Sequence, residues 1–252
     1  MRAALALALA AGLALVSGAR AQEETPPLPR PGWSFSGVFG TFDRAALQRG
    51  FQIYSEVCSN CHSLKFLHYR DLAALGYDED EINVIAAQKQ VTAGPNDQGE
   101  MFQRPAQPSD AFVPPFPNDQ IGRLANNGAL PPDFSLIVKA REGGADYVYG
   151  IITGYKEAPA NVKVPEGMNY NLYFPSHQIA MPQPLSDGSV TYADGTKASL
   201  DQEAHDIVTF LSWAAEPRME DRKRIGAKTM LFLLVMTGVL YGAKRKIWAD
   251  LH

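Results

Sequence analysis

The sequence contains few cysteines and no internal repeat. Cys58 and Cys61 are its only cysteines among 252 residues, so the chain can form at most one disulfide and is not a small domain stabilised by several bridges. A zinc site would need two further ligands at a recognisable spacing, and none is apparent. With 46% hydrophobic residues, a chain of this length can bury one substantial core.

The chain also lacks an excess of basic charge, since its formal net charge is −4. Residues 22–217 contain 13 basic and 24 acidic residues, a net charge of −11. A domain this acidic is a poor nucleic-acid binder and attracts basic partners. The four consecutive acids from Asp78 to Glu81 fit either a solvated helix start or a docking patch.

The first 21 residues have the composition of a secretory signal peptide. Arg2 gives a short positive start, an Ala/Leu run follows from Ala3 to Val16, and Ala19-Arg20-Ala21 is a small-residue cleavage pattern. We expect cleavage after Ala21 and export of the domain over residues 22–217, in a bacterium to the periplasm. The alternative is an N-terminal anchor that is never cleaved, although its apolar part is short for a membrane span.

A second apolar run, residues 225–243, is predicted to span a membrane. Only Lys228 is charged within it, and nineteen residues at helical rise cover most of a hydrocarbon core. Basic triplets at 222–224 and 244–246 bracket the run, which disfavours the alternative of a buried core helix. Because basic residues on both sides leave the positive-inside rule indecisive, the signal peptide sets the orientation, with residues 244–252 as a cytoplasmic tail.

The two cysteines lie in the motif Cys58-Ser59-Asn60-Cys61-His62. Cys-x-x-Cys-His is the attachment pattern of c-type haem, because two thiols on one face of a helical turn can each add to a haem vinyl group while the histidine reaches the iron through Nε2. Thiol–disulfide exchange uses the same cysteine spacing, but there the motif opens a helix after a strand. Here an amphipathic helix from Asp43 to Val57 is predicted to lead into it. The sequence therefore predicts one covalently attached haem c.

An iron bound by one histidine needs a sixth ligand, unless the position stays open for catalysis. Three methionines lie outside the predicted signal peptide and anchor region: Met101, Met168 and Met181. Met181 precedes Pro182-Gln183-Pro184, and prolines stiffen a loop that can hold a thioether against iron. A core-filling methionine is the alternative, and His177 and His68 are other candidate ligands. The residues alone leave this choice open.

A second helix is predicted from Ser199 to Ala215, with an apolar stripe, a capping box formed by Ser199 and Gln202, and a stop at Glu216-Pro217. Together with the helix before the haem motif, it flanks the remainder of the domain. Two such helices are expected to cross over a haem edge.

Between these helices lies a stretch rich in proline and glycine, from Thr92 to Gly195. Loops of this composition commonly wrap a prosthetic group, which supplies the core that short elements cannot. Within the stretch, Phe134 to Glu142 and Tyr147 to Tyr155 are predicted to be helical or strand-like.

Segments spread over nearly the whole predicted mature chain carry a resemblance to a known family. Besides the haem motif they are Tyr69-Arg70-Asp71-Leu72, Asn126-Asn127-Gly128-Ala129-Leu130-Pro131-Pro132-Asp133, Ala140-Arg141-Glu142-Gly143-Gly144, Asp146-Tyr147-Val148, Tyr173-Phe174-Pro175, Ile179-Ala180-Met181-Pro182, Trp213-Ala214-Ala215-Glu216-Pro217 and Asp221-Arg222-Lys223-Arg224. With these segments the sequence resembles cytochrome c1, the haem subunit of the cytochrome bc1 complex, in its alphaproteobacterial form.

The resemblance implies a mainly α fold, namely a cytochrome c-like haem domain with long Pro/Gly-rich loops plus one C-terminal transmembrane helix. It implies that Cys58 and Cys61 hold the haem thioethers. It also implies that His62 and Met181 are the axial ligands of the iron.

The resemblance further implies that Arg141 meets a haem propionate and that Asn126, Pro132 and Tyr147 line the haem pocket, with plain core packing as the other reading for Pro132 and Tyr147. Some bacterial relatives carry an extra cysteine pair in the loop before the ligand methionine. This chain lacks that pair, so rigidity near Met181 is expected to come from prolines and packing.

By the same resemblance, the protein passes one electron from the Rieske iron–sulfur protein to a basic cytochrome c. It would do so beside cytochrome b in a dimeric complex of the cell inner membrane, with its haem domain on the periplasmic side and quinol oxidation on partner subunits. One alternative is a stand-alone membrane-anchored cytochrome c that donates to an oxidase. Another is a haem enzyme with an open sixth position.

Overall fold

The computed structural model describes residues 26–249, so the predicted signal peptide lies outside the described residues, as do the last residues of the predicted tail. The described part is mainly helical, as predicted. Its α-helices are α1 (Arg44–Glu56), α2 (Glu79–Ala87), α3 (Asp119–Ala125), α4 (Gly144–Thr153), α5 (Leu200–Ala215) and α6 (Met219–Ile247). Its 3₁₀ helices are Cys58–Asn60, Tyr69–Leu75 and Pro175–His177, and its strands are β1 (Gln90–Ala93), β2 (Phe102–Pro105), β3 (Asn169–Tyr170) and β4 (Gln178–Ile179).

Helices α1 and α5 are the two predicted flanking helices, and they begin at the expected caps. Asp43 accepts hydrogen bonds from the first amides of α1, and Ser199 accepts the N–H of Gln202 at the start of α5. The predicted capping box of α5 forms only in part. The Gln202 side chain instead donates to Asp206 one turn further on, and the Ser199 N–H, which a complete capping box would direct to Gln202, donates to the Lys197 carbonyl at 3.0 Å.

The two helices cross where Gly50 of α1 meets α5. A Cβ built on Gly50 would lie 2.2 Å from the carbonyl oxygen of Asp206 and 2.6 Å from the Cβ of Phe210. Aromatic rings fill the space beside this crossing, with Phe51 and Tyr54 of α1 each 5.8 Å from the Phe210 ring. Helices α1 and α5 therefore pack against each other through a backbone contact that only glycine permits.

The acidic run from Asp78 to Glu81 forms the start of α2. The Asp78 side chain accepts the N–H of Glu81 at 2.8 Å, and the Glu81 side chain accepts the N–H of Asp78 at 2.9 Å. Acids in this position also complement the helix macrodipole. The helix-start reading is therefore confirmed, while a docking role for the same residues stays a prediction.

The stretch from Thr92 to Gly195 contains more regular structure than its composition indicates. An antiparallel hairpin pairs β1 with β2, and α3 and α4 follow. The prediction for Tyr147 to Tyr155 is confirmed as helical by α4, which ends at Thr153. The prediction for Phe134 to Glu142 is wrong, since these residues form consecutive turns.

The physical reason for the turns is local competition for backbone hydrogen bonds. The Asp133 carboxylate accepts the N–H of Ser135 at 2.9 Å, an interaction that favours a turn over a regular element. Ser135, Ile137 and Val138 are nevertheless buried. The spacing of apolar residues in this segment therefore indicates which side chains are buried, and it does not indicate a helix or a strand.

A buried asparagine attaches the segment between β3 and β4 to helix α4. Asn171 donates through Nδ2 to the carbonyl of Ile151 at 2.8 Å, and its Oδ1 accepts the N–H groups of Tyr173 and Phe174 at 3.0 and 3.3 Å. An isolated bridge also pairs Asn171 with Tyr155. The short antiparallel pair of β3 and β4 therefore has a fixed position on α4.

Helix α6 is 29 residues long and contains the predicted span 225–243. Its most apolar window has a mean hydropathy of 1.6 and is not buried by the domain, which rules out the alternative of a buried core helix. Among residues 26–249 it is the one helix long and apolar enough to cross a membrane. Both basic triplets lie inside the helix rather than outside it.

The first turns of α6 are bound to a loop that precedes α1. Glu220 accepts the N–H of Phe42 at 2.8 Å, and Lys223 donates through Nζ to the carbonyl oxygens of Phe35 and Gly40 at 2.7 and 2.9 Å. Helix α5 ends only four residues before α6 begins. The long helix is thus fastened to the domain on two sides.

Candidate functional site

The Cys-x-x-Cys-His motif forms one 3₁₀ turn directly after α1. The N–H groups of Cys61 and His62 both donate to the carbonyl of Cys58, at 3.1 and 2.9 Å. The side chains of Ser59 and Asn60 turn back to carbonyls at the end of α1, at 2.8 and 3.1 Å. The two spacer residues thereby satisfy the helix end, while both thiols and the imidazole leave the same turn.

The environment of Cys58 does not suit thiol–disulfide exchange. Both cysteines are half-buried free thiols, and burial, followed by the nearby Cys61, raises the pKa of Cys58 to about 12. Exchange requires the thiolate, which catalytic thiols stabilise by a lowered pKa. The geometry therefore favours the haem-attachment reading of this motif.

His62 is held in the form that a metal ligand requires. Its Nδ1 lies 2.8 Å from the carbonyl oxygen of Pro132, and since that oxygen can only accept, Nδ1 carries the proton and Nε2 keeps its lone pair. The ring is 8% exposed, and burial lowers the pKa of His62 despite the Pro132 bond. The imidazole is therefore neutral at physiological pH and its Nε2 can bind iron.

Two aromatic residues outside the predicted site fix the position of His62. The ring of Phe134 stacks on the imidazole with centroids 3.8 Å apart and planes 14° from parallel. The hydroxyl of Tyr54, on α1, donates to the backbone carbonyl of His62 at 3.1 Å. Tyr54 could be found from its place on the apolar face of the predicted helix, whereas nothing in the sequence indicates the stacking of Phe134.

Asp133 joins the segment that carries Pro132 to the haem motif. Its Oδ2 accepts the Ser63 hydroxyl at 2.6 Å and the N–H of Lys65 at 3.1 Å, and its Oδ1 accepts the N–H of Ser135. Burial raises the pKa of this carboxyl, but the hydrogen bonds to its ionised form outweigh burial, so the pKa lies below the ordinary value of 3.8. Ionised Asp133 thus holds the Pro132 carbonyl against the imidazole.

We expect Asp133→Asn to destabilise the domain at neutral pH by about 1–2 kcal/mol, because a charge-assisted acceptor becomes a neutral one at a half-exposed site. The folded-state pKa is depressed, so the contribution of Asp133 is fully present above its unfolded pKa and is lost as pH falls through the lower folded value. Urea unfolding at pH 7 and pH 3 measures this. The difference between the two proteins should shrink at pH 3; a constant difference would contradict the assignment.

Met181 lies two residues after β4, on a backbone held by two side chains. Its carbonyl oxygen accepts the Tyr155 hydroxyl at 3.0 Å and the Asn169 Nδ2 at 3.3 Å. Tyr155 lies two residues after the end of α4 and Asn169 belongs to β3, so the stiffness expected from the prolines is supplemented by hydrogen bonds. The role of Met181 as an iron ligand stays a prediction.

The two histidines named as other candidate ligands have local partners. His177 is buried, with its ring stacked on Tyr170 and its Nδ1 3.2 Å from the carbonyl of Asn171. His68 caps the 3₁₀ helix Tyr69–Leu75, and its Nδ1 lies 3.8 Å from the Asp71 carboxylate. Each ring therefore has a structural role of its own.

Of the four predicted pocket residues, one contacts the haem motif directly. Pro132 contacts the imidazole through its carbonyl, and Tyr147 is half-buried in the first turn of α4, where burial raises its pKa. Asn126 ends α3 and donates to the Gly122 carbonyl at 2.7 Å. Arg141 is exposed and donates to the neighbouring Ala140 carbonyl. The structure thus joins only Pro132 directly to the motif.

The available donors suit a haem better than a bare metal ion. Within residues 26–249, no group of three or more His, Cys, Asp or Glu side chains could hold a metal. A haem needs no such group, because the porphyrin supplies four ligands and the protein supplies the axial ones. Two thiols for covalent attachment, a neutral imidazole and a thioether are a donor set that fits this group.

Comparison with known proteins shows which family the chain is similar to. The family model described as "Cytochrome C1 family" matches residues 33–251. The chain is similar to cytochrome c1 of Rhodospirillum rubrum, with 45% identity over 260 residues that cover 96% of each protein. It is similar to a mitochondrial cytochrome c1-2 heme protein of Solanum tuberosum, with 46% identity over 222 residues, 88% of this chain and 85% of the relative.

A further relative is longer than the present chain. The cytochrome b/c1 protein of Bradyrhizobium diazoefficiens is 46% identical over 276 aligned residues, which cover 99% of this chain but 40% of that protein. The chain therefore matches less than half of that relative's length, and nearly all of the Rhodospirillum rubrum protein.

Proposed function

Because the chain belongs to the cytochrome c1 family, we propose that it is the haem-bearing electron-transfer subunit of a cytochrome bc1 complex, with one haem c attached at Cys58 and Cys61. The observation that carries the proposal is the state of His62. Its proton is directed to the Pro132 carbonyl, so that Nε2 is available as an axial ligand beside the two thiols.

When bound, the haem supplies one-electron redox chemistry, and the residues of the chain control its surroundings. His62 and Met181 would hold the iron, which would leave it no position for a substrate. The ring of His62 is buried, and its stacked partner Phe134 covers one face of it. Methionine ligation raises the reduction potential, as suits a donor to cytochrome c.

The proposed partners follow from charge and from the anchor. The electron arrives from the Rieske iron–sulfur protein and leaves to a basic cytochrome c, while α6 holds the domain beside cytochrome b in a dimeric inner-membrane complex. The net charge of −11 over residues 22–217 supports the basic acceptor. The exposed apolar surface of α6 supports the membrane position, and the predicted signal peptide supports a periplasmic haem domain.

We expect the second-order rate of electron transfer to a basic cytochrome c to fall steeply as ionic strength rises, because salt screens the attraction that steers the two proteins together. Stopped-flow mixing at several salt concentrations measures the slope. An acidic acceptor of similar potential is the control and should become faster with salt. A rate independent of ionic strength would contradict steering by the acidic surface.

The decisive test of the proposed function is covalent haem on the denatured chain. Produced in a host able to mature c-type cytochromes, the chain should retain haem stain on a denaturing gel, whereas Cys58→Ala with Cys61→Ala should retain none. Absence of stain on the unaltered chain would refute haem attachment.

Purification in mild detergent then separates the remaining alternatives. Co-isolation with b-type haem and a Rieske centre supports the bc1 subunit, and a lone c-haem protein supports a stand-alone cytochrome. Rapid binding of carbon monoxide to the reduced protein would indicate an open sixth position and would refute Met181 as a ligand.

A further inference from the structure

An exposed apolar loop lies beside the first turns of α6. We call residues 34–41 the juxta-anchor loop. Its tip carries Val38 and Phe39, whose side chains are 70% and 91% exposed. No other large apolar side chain among residues 26–249 is more exposed than Phe39. Such a side chain, placed next to a helix that could span a membrane, calls for a physical explanation.

The juxta-anchor loop is closed and supported at its base. The N–H of Thr41 donates to the Ser34 carbonyl at 3.1 Å. The Phe35 ring packs between those of Trp33 and Phe42, with centroids 5.5 and 5.2 Å away. Because the base of the loop is fixed, its tip loses little conformational entropy when it binds a surface.

The contacts between the loop and α6 show the direction in which the tip lies. Phe42 contacts Glu220, and Gly40 contacts Lys223, which lies one turn further along α6. Residues closer to the tip therefore contact α6 at a point closer to its apolar run. Phe39 is the next residue of the loop in the same direction.

The position along the helix corresponds to the headgroup region of a bilayer. Lys223 lies two residues before the predicted span 225–243 and six before Thr229, where its uninterrupted apolar part begins. At helical rise these separations are about 3 and 9 Å. The headgroup layer on each side of the hydrocarbon core is roughly 5–8 Å thick. The contact at Lys223 therefore lies within this layer when the core begins at residue 225, and at its outer edge when the core begins at Thr229.

We propose that Val38 and Phe39 insert into the membrane interface beside α6, at the boundary between lipid headgroups and acyl chains. The inference rests on the proposed membrane span of α6. Insertion removes apolar surface of both side chains from water, and the basic residues at 222–224 complement anionic headgroups. A second contact with lipid, away from the helix axis, fixes the rotation of the domain about α6.

A single spin label tests the insertion, because haem occupies both native cysteines. Phe39→Cys is labelled with a nitroxide in the full-length haem-bearing chain, reconstituted in nanodiscs of phosphatidylcholine and phosphatidylglycerol. Collision of the label with oxygen, which concentrates in lipid, is compared with collision with a water-soluble nickel chelate. We expect loss of nickel accessibility and a gain in oxygen accessibility at position 39. An unchanged visible spectrum of the reduced haem shows that the variant is folded, because axial ligation of the iron depends on the fold.

Two matched positions make every outcome decisive. Val84→Cys, on an apolar residue of α2 that is 64% exposed, should remain accessible to nickel. Leu231→Cys, in α6 and 65% exposed, should report lipid. Nickel access at position 39 together with lipid at 231 overturns the proposed insertion and leaves the span intact. Shielding at 39 from both reagents indicates a protein contact and also overturns it. Nickel access at position 231 refutes the span itself.

Discussion

Replacing Met181 with leucine is expected to lower the midpoint potential by a large part of the roughly 0.8 V range that axial ligands cover, while the haem stays attached. The thioether stabilises the reduced iron, and leucine offers no donor atom. Covalent attachment should be unaffected, because the proposed attachment depends on Cys58 and Cys61 rather than on Met181. An optical redox titration measures the potential, and a haem-stained denaturing gel checks the attachment.

The other methionines of the domain are matched controls. Met101 is 60% exposed next to β2, and Met168 is half-buried just before β3. Leucine at either position should leave the potential unchanged, since neither lies on the proline-flanked loop. If Met181→Leu also leaves the potential unchanged, Met181 is not the ligand, and His177→Ala becomes the next variant to measure.

Gly50→Ala is expected to destabilise the domain by about 3 kcal/mol, the upper end of the range for overpacking. The added methyl group would lie 2.2 Å from the Asp206 carbonyl oxygen and 2.6 Å from the Phe210 Cβ, so α1 and α5 must move apart. Helix propensity acts in the opposite direction and favours alanine by only about 1 kcal/mol. Urea unfolding of the haem-bearing chain in detergent measures the difference.

Gly226→Ala is the control that isolates helix propensity. Gly226 also lies in a helix, and a Cβ built there meets no atom within 4 Å. Its replacement should leave the unfolding midpoint of the domain unchanged or raise it slightly, because alanine has the higher helix propensity. Equal stability of Gly50→Ala and the unaltered chain would mean that the two helices are packed more loosely than this close approach indicates.

Helix positions in this domain could be predicted from sequence where an apolar stripe coincides with a side-chain cap. Helix α1 follows Asp43 and α5 follows Ser199, and both have their apolar face against the core. For the same reason the acidic run at Asp78 could be read as a helix start. The long apolar run was also sufficient to place α6, although the helix extends beyond residues 225–243 at both ends.

The surroundings of the haem motif could be predicted only in part. The cysteines and His62 are adjacent in sequence, so their spacing alone indicates their chemistry. Phe134 and Asp133 act on the motif from about seventy residues away, and no local pattern reports such a contact. The segment from Phe134 to Glu142 is predicted to be helical or strand-like because its apolar residues have the spacing of buried side chains. Its conformation depends instead on where the Asp133 carboxylate accepts hydrogen bonds.

The rigid connection between α6 and the domain has a consequence for the geometry of electron transfer. Glu220 and Lys223 bind the start of α6 to the loop before α1, so a tilt of the helix also tilts the domain. Membrane helices tilt by about 20° on average, and by more in thinner bilayers. A point roughly 30 Å above the pivot then moves sideways by about 10 Å. With α6 in the proposed membrane-spanning position, bilayer thickness therefore changes the distance between this domain and a partner embedded in the same membrane.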